Sequence, residues 1–302
     1  MEHDMPPRPH VLIPLPSRDF DPSEAAVSWK ILSGAGYEVS FATPDGTVSR
    51  GDPLMLTGEE LDLWGFIPGL KKIKLLGLIS RANAEARAAY REMVSHATFN
   101  KPRPYASLDP RRYDALLLPG GHWARGMTSY LESEVLQRFV AAFFESGKPV
   151  AAICHGVVLA ARSRSAATGK SVLYGRKTTA LTWRLENSAW ATMKFAGRFW
   201  DPDYFRTYVE KTGEPAGFAG VQAEVTRALA SPSDFKDADP AAPDYFRKTS
   251  GLFRDSASDH RPAFIVRDGN YLSARWPGDV HLFAGTFAAM IANERKKEAT
   301  VN

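Results

Sequence analysis

Near its start the chain carries a short, unbroken apolar run, His10-Val11-Leu12-Ile13-Pro14-Leu15, the pattern of a strand buried on both faces. Ser23 to Gly34 follows with Ala26, Val27, Ile31 and Leu32 at mixed helical spacing, and Tyr37 to Ala42 then alternates like a second strand. A tight turn around Gly34-Ala35-Gly36 links them, so the pattern predicts a βαβ unit and a parallel sheet. Tyr113 to Leu118 is a third, apolar strand that ends in the turn Pro119-Gly120-Gly121. Leu131 to Ser146 sets Leu136, Phe139, Val140 and Phe143 on one helical face and leads into the strand that precedes Cys154. Downstream, Lys177 to Thr182 is a strand candidate. Pro262 to Arg267 and Tyr271 to Ala274 form a hairpin about Asp268-Gly269-Asn270, and Val280 to Lys297 reads as a last helix.

Two stretches break this rhythm. Residues 48–112 and 187–260 are long, aromatic, charged and proline-rich, too extended for simple loops. They are expected to be partly helical insertions that fold over the sheet within a single domain spanning residues 1–302. Leu70 to Leu76 carries a short basic run and reads as a solvated amphipathic cap rather than a membrane-surface helix.

Composition narrows the classes. Of 302 residues, 44% are hydrophobic and 24% charged, ordinary for a globular protein and against extensive disorder. A net charge of only +4 gives nucleic-acid binding little support. No apolar run reaches membrane-span length, and Met1 to His10 lacks the pattern of a secretory leader. A single cysteine cannot form an internal disulfide, which agrees with a reducing compartment. A cytoplasmic protein is the expectation.

That cysteine carries the chemistry. In Val150-Ala151-Ala152-Ile153-Cys154-His155-Gly156-Val157 an apolar strand breaks into a helix, and a sharp turn there projects the side chain at its apex beside unpaired helix-start amides. Those amides and the helix dipole favour the thiolate. A buried, inert cysteine is the alternative. Three turns fall at the C-terminal ends of successive strands, where open parallel sheets bind ligands: Pro22-Ser23-Glu24-Ala25, Pro119-Gly120-Gly121-His122 and Ile153-Cys154-His155-Gly156. No close-spaced metal-ligand motif and no cofactor signature is present.

These turns, with Thr168-Gly169-Lys170-Ser171, Gly175-Arg176-Lys177 and the Asp268-Gly269-Asn270 hairpin, resemble the ThiJ/PfpI superfamily of the class I glutamine amidotransferase-like fold. The resemblance is closest to its glyoxalase III and holding-chaperone branch. It implies an α/β three-layer sandwich with a mainly parallel, flavodoxin-like sheet, on which the two insertions sit as caps. It also implies Cys154 as nucleophile, Glu24 hydrogen-bonded to the sulfur as proton carrier, and His155 as candidate base. The amides of Gly121 and His155 would receive an oxyanion, while Gly120 and Gly121 also shape the turn. His122 either touches substrate or is merely exposed.

One position departs from that pattern. In the glyoxalase III branch an aspartate orients the histidine, and here Trp183 stands in its place. An indole offers only a donor and cannot accept the imidazole proton. Glu186, three residues on, either substitutes or is a surface residue, and the surface reading is the expectation. Asp279 reads as the N-cap of the last helix.

The implied function is cofactor-independent conversion of a small reactive carbonyl, a 2-oxoaldehyde, to a 2-hydroxy acid. The rivals are another cysteine-elbow hydratase or amidase-like hydrolase, and a non-enzymatic holding chaperone or redox-stress protein. A homodimer is implied by analogy alone.

Overall fold

Both faces of the central sheet are buried, which is why its strands read as unbroken apolar runs. In the computed structural model, which describes residues 8–301, the chain begins with β1 (His10–Pro14), α1 (Pro22–Gly34) and β2 (Glu38–Thr43). The short helices α2 (Pro53–Thr57) and α3 (Leu76–Ser80) precede α4 (Ala84–Ser95) and the two-residue strand β3 (Arg103–Pro104). Then come β4 (Ala115–Leu118), α5 (Ala124–Leu131), α6 (Glu134–Glu145), β5 (Val150–Ile153) and α7 (His155–Arg162). The second long stretch holds α8 (Trp183–Ala196), α9 (Val221–Ala228) and α10 (Tyr245–Thr249), and β6 (Ile265–Asp268), β7 (Tyr271–Ala274) and α11 (Val280–Val301) end the fold. Residues 1–7, most of the stretch read for a leader, lie outside the described residues.

The seven strands form one sheet in the order β3-β2-β1-β4-β5-β7-β6, parallel throughout except for β6, which pairs antiparallel with β7. Helices cover both faces, giving the three-layer sandwich. Val11, Ile13, Leu117, Ile153 and Leu272 point toward Ala25 and Trp29 of α1 and Phe283 and Phe287 of α11. Leu12, Leu116, Leu118 and Ala152 point the other way, onto Leu136, Val140 and Phe143 of α6 and Val157 of α7. Among the described residues no helix is long and apolar enough to cross a membrane.

Several local expectations differ from the structure. Residues 84–104 of the first long stretch are not cap: α4 packs on α1, and β3 extends the sheet beyond β2. Leu70 to Leu75 is turn and irregular chain and α3 starts only at Leu76, because the Asp62 carboxylate gathers the amides of Leu75 and Leu76 at 3.0 and 2.8 Å, and the Trp64 indole donates to Ile73 O at 2.8 Å. The helix read from Leu131 is interrupted, and α6 starts afresh with Ser133 as N-cap, its hydroxyl accepting from Leu136 N.

Lys177 to Thr182 makes only an isolated bridge, Thr178 with Phe235. Its next amide donates to a side chain, Thr179 N to Ser273 Oγ at 2.9 Å, so no ladder propagates. Asp279 does not cap α11. It is fully buried and holds Arg275, accepting from the Arg275 amide, Nε and Nη2 at 2.9, 3.0 and 2.7 Å. The first amides of α11 are taken by Asp255, which accepts from His281 N and Leu282 N at 3.2 and 2.8 Å.

Candidate active site

Strand β5 ends at Ile153, and the chain turns into α7 through Cys154, whose φ of 56° and ψ of −123° are strained for a residue with a side chain. The turn closes because Gly156 brings the helix against β4; a Cβ there would sit 2.1 Å from Leu118 O. Cys154 is thus set at the sheet's C-terminal rim, 6% exposed and opening into a cavity. The His155 amide donates toward its sulfur and lowers the thiol pKa, but burial and the neighbouring Glu24 and Asp21 carboxyls outweigh it and raise the thiol well above its ordinary value. The expected resting thiolate is therefore corrected: desolvation overrides the helix-start amides, and the thiol rests protonated.

This has a measurable consequence. Alkylation of Cys154 by iodoacetamide is expected to be slower at pH 7 than that of a free thiol. It should rise about tenfold per pH unit through pH 9 without levelling, since a raised pKa leaves the thiolate a growing minority across that window. Labelling followed by peptide mass spectrometry checks it; a plateau below pH 8 would contradict it.

Glu24 lies in the first turn of α1 and is fully buried. Its Oε2 accepts from Gly120 N at 2.7 Å, its Oε1 has no hydrogen-bond partner among the described residues, and the neighbouring Cys154 thiol lowers its pKa. Burial and the Asp21 carboxyl push Glu24 well above the usual carboxylate range, so it too rests protonated. The Gly120 amide is thereby occupied and serves Glu24 rather than an oxyanion, whereas Gly121 lines the cavity and its amide has no hydrogen-bond partner among the described residues. Gly120 itself admits no side chain, since a Cβ would come 2.7 Å from His155 N and 3.1 Å from both Cys154 Cβ and Glu24 Oε2.

Asp21 belongs with this group and was missed. It caps α1, accepting from Ser23 N and Glu24 N at 2.8 and 3.0 Å, lines the cavity, and is raised by burial. Asp21-Pro22-Ser23-Glu24 shows the cap, the N1 proline and the acid at N3 that mark a helix start.

His155 is buried, and its imidazole Nδ1 lies 3.4 Å from Cys154 Sγ. Burial lowers it to about 3, so it is neutral and can accept a proton from sulfur. Among the described residues no carboxylate hydrogen-bonds to it. Trp183 heads α8 and does not line the cavity; its ring packs on Gly217 and under the Arg206 guanidinium, 4.9 Å away. Glu186 is not a surface residue: it is 2% exposed, because Arg206, buried twenty residues downstream, pairs with it at 2.9 Å while Val221 N donates to its other oxygen at 3.0 Å. Burial raises Glu186 to about 7.

Arg206 thus anchors α8 over the site, holding Glu186 and also Glu210 at 2.8 Å. Arg206→Ala leaves a buried carboxylate without its cation and is expected to cost about 3 to 5 kcal/mol. Chemical unfolding measures it, and a loss under 1 kcal/mol would contradict the anchoring role.

His122 is buried with its ring against Tyr204 and Phe205 at 4.7 and 4.5 Å, and its Nε2 lies 3.7 Å from Asp52 Oδ2 with no hydrogen bond. Burial lowers it to about 3. Asp52 also accepts from Tyr204 OH at 2.7 Å and is raised by burial to about 7. This cluster joins the two long stretches across the second turn, and no local signal marks Asp52 or Tyr204 as its members. The cavity measures about 350 Å³ and is bounded by Glu24, His122, Cys154 and Glu186 among otherwise mainly apolar residues. Among the described residues no cluster of three or more His, Cys, Asp or Glu is placed to hold a metal ion.

A parallel α/β sheet with a cysteine at a strand-to-helix elbow, and a buried carboxyl from the first helix near that cysteine, defines a flavodoxin-like α/β protein with a cysteine elbow. The family model described as ThiJ/PfpI family-like matches residues 15–213, and the chain belongs to that family. Among curated relatives it is similar to Glyoxalase 3 of Candida albicans, 23% identical over 163 residues, covering 53% of this chain and 58% of the relative. It is also similar to Protein/nucleic acid deglycase 2 of Escherichia coli, 41% identical over 75 residues, 24% of this chain and 36% of the relative. The chain therefore matches less than two thirds of the length of either relative. The crystal structure of glyoxalase III from Candida albicans superposes with a TM-score of 0.50 at 17% identity, over 93% of this chain and 97% of that one, a likeness of fold.

Proposed function

We propose that the protein is a cofactor-independent enzyme that converts a 2-oxoaldehyde to a 2-hydroxy acid through Cys154. The observation that carries this reading is the cluster itself: a thiol with an imidazole nitrogen 3.4 Å away and the buried Glu24 carboxyl beside it, all three against one cavity or its lining residues. The similarity to Glyoxalase 3 supports the substrate class.

In this mechanism sulfur bonds to the aldehyde carbon as the thiol proton passes, by way of His155, to the carbonyl oxygen, giving a hemithioacetal. The Gly121 amide stabilises the charge that develops on that oxygen. The proton on the former aldehyde carbon then moves to the neighbouring ketone carbon through Glu24 and His155 while the hemithioacetal hydroxyl proton passes to the ketone oxygen, which leaves a thioester of a 2-hydroxy acid. Water cleaves the thioester and returns the thiol, so the net change is addition of one water to the substrate. Keeping Glu24 and Cys154 protonated at rest places both protons where the sequence needs them. Incubation with methylglyoxal in the absence of glutathione tests the reading: lactate should form, and a rate no higher than the uncatalysed one would overturn it.

A holding-chaperone role is a second reading, favoured by large apolar side chains left on the surface, among them Phe66, Ile73, Leu75, Leu78, Phe195 and Phe199, at 50–75% exposure. Suppression of client aggregation should then persist in Cys154→Ala.

A further inference from the structure

The cavity over Cys154 is larger than a three-carbon aldehyde needs. At about 350 Å³ it falls within the range that encloses organic ligands of drug size. Its polar groups are Asp21, Glu24 and His122 on the turns around Cys154, Glu186 of α8, and Ser80, Ser188, Thr192, Ser250 and Arg254 from the long stretches, but most of the surface that it exposes is apolar. Met55 and Leu76 come from the first, and Leu185, Met193 and Phe205 from α8 and the segment after it. The outlet is apolar too: Ile79 and Leu252 both line the cavity and remain 65% and 64% exposed, so they form its mouth.

A site that must grip only a small hydrated dicarbonyl gains nothing from such walls, because that substrate has one methyl group to bury. An extended apolar substituent would fill the space and gain binding from each buried methylene. We propose that the substrate is a 2-oxoaldehyde whose carbonyl carries a bulky apolar group, an aryl ring or a longer alkyl chain, with the dicarbonyl at Cys154 and the substituent among Met55, Leu185, Met193 and Phe205. The proposal rests on the reading of Cys154 as nucleophile, and the reaction is unchanged: one water is added whatever the substituent.

The test is a comparison of kcat/KM for methylglyoxal, hexylglyoxal and phenylglyoxal without glutathione. The two larger substrates should exceed methylglyoxal by about tenfold or more, since each buried methylene is worth a few-fold. Ala189→Trp, which fills the cavity from α8, should narrow that ratio to about threefold or less; Ser188→Phe, at an exposed position of the same helix that also borders the cavity, is the second variant if the first fails to fold. Calorimetric binding of the products to Cys154→Ala separates the two layers of the argument, with 2-hydroxyoctanoate expected about tenfold tighter than lactate. Equal kcat/KM across the series, or equal binding of the two acids, overturns the proposal. Selective binding of the longer acid with turnover of none of the aldehydes upholds the apolar ligand class and overturns the cysteine chemistry instead.

Discussion

Replacing Cys154 by alanine is expected to lower glutathione-free turnover of a 2-oxoaldehyde by at least about a thousandfold, to the rate of the uncatalysed reaction. The size of the effect follows from the chemistry. No other thiol exists in the chain, and among the described residues no other nucleophile is hydrogen-bonded to His155 Nδ1. The fold should survive, because the elbow is held by backbone features that alanine keeps: the bond from the residue-154 amide to Ala274 O at 3.1 Å and the approach of Gly156 to β4. Circular dichroism and thermal unfolding close to wild type, together with lost lactate formation, would assign the loss to the sulfur. Retained turnover in a folded variant would remove the covalent mechanism.

Glu24→Gln is expected to have the second largest effect, a fall in kcat of about a hundredfold or more, the usual contribution of a positioned proton carrier. Glutamine is nearly the same shape and can still accept from Gly120 N, so the turn should persist. What it cannot do is give up and recover a proton. Glutamine carries no charge at any pH, whereas Glu24 once ionised is one of the influences that raise the thiol, so at alkaline pH Cys154 should become easier to ionise in the variant. The variant should therefore alkylate faster than wild type at alkaline pH while turning over more slowly. A purely structural role for Glu24 predicts that both rates move together, and that result would refute the assignment.

The frame of the molecule and the centre of its site were legible in the sequence for a local reason. Strands buried on both faces announce themselves as apolar runs, and the turns that follow β1, β4 and β5 carry the site, so Glu24, Gly121 and Cys154 could be found from three short segments. Asp21 was equally available as a cap and was passed over. Other features depended on distant partners. Glu186 looked exposed because Arg206, which buries it, lies in the irregular stretch after α8. His122 gains its surroundings from Asp52 and Tyr204, separated by more than a hundred and fifty positions. Asp279 had every local mark of a cap, yet Arg275 claims it and Asp255 does the capping.

The ionisation state of the thiol was misjudged for a related reason. The helix-start amides can be read from sequence, but the burial that opposes them, and the Coulombic effect of the Glu24 and Asp21 carboxyls that adds to it, come from the whole packed environment.

The most direct test of Cys154 as the covalent nucleophile is intact-protein and peptide mass spectrometry of enzyme quenched with acid during turnover of methylglyoxal. The account predicts a transient adduct with the mass of one methylglyoxal on the peptide that contains Cys154, vanishing when the aldehyde is exhausted. Lactate formed at the full rate with that peptide unmodified throughout would contradict it.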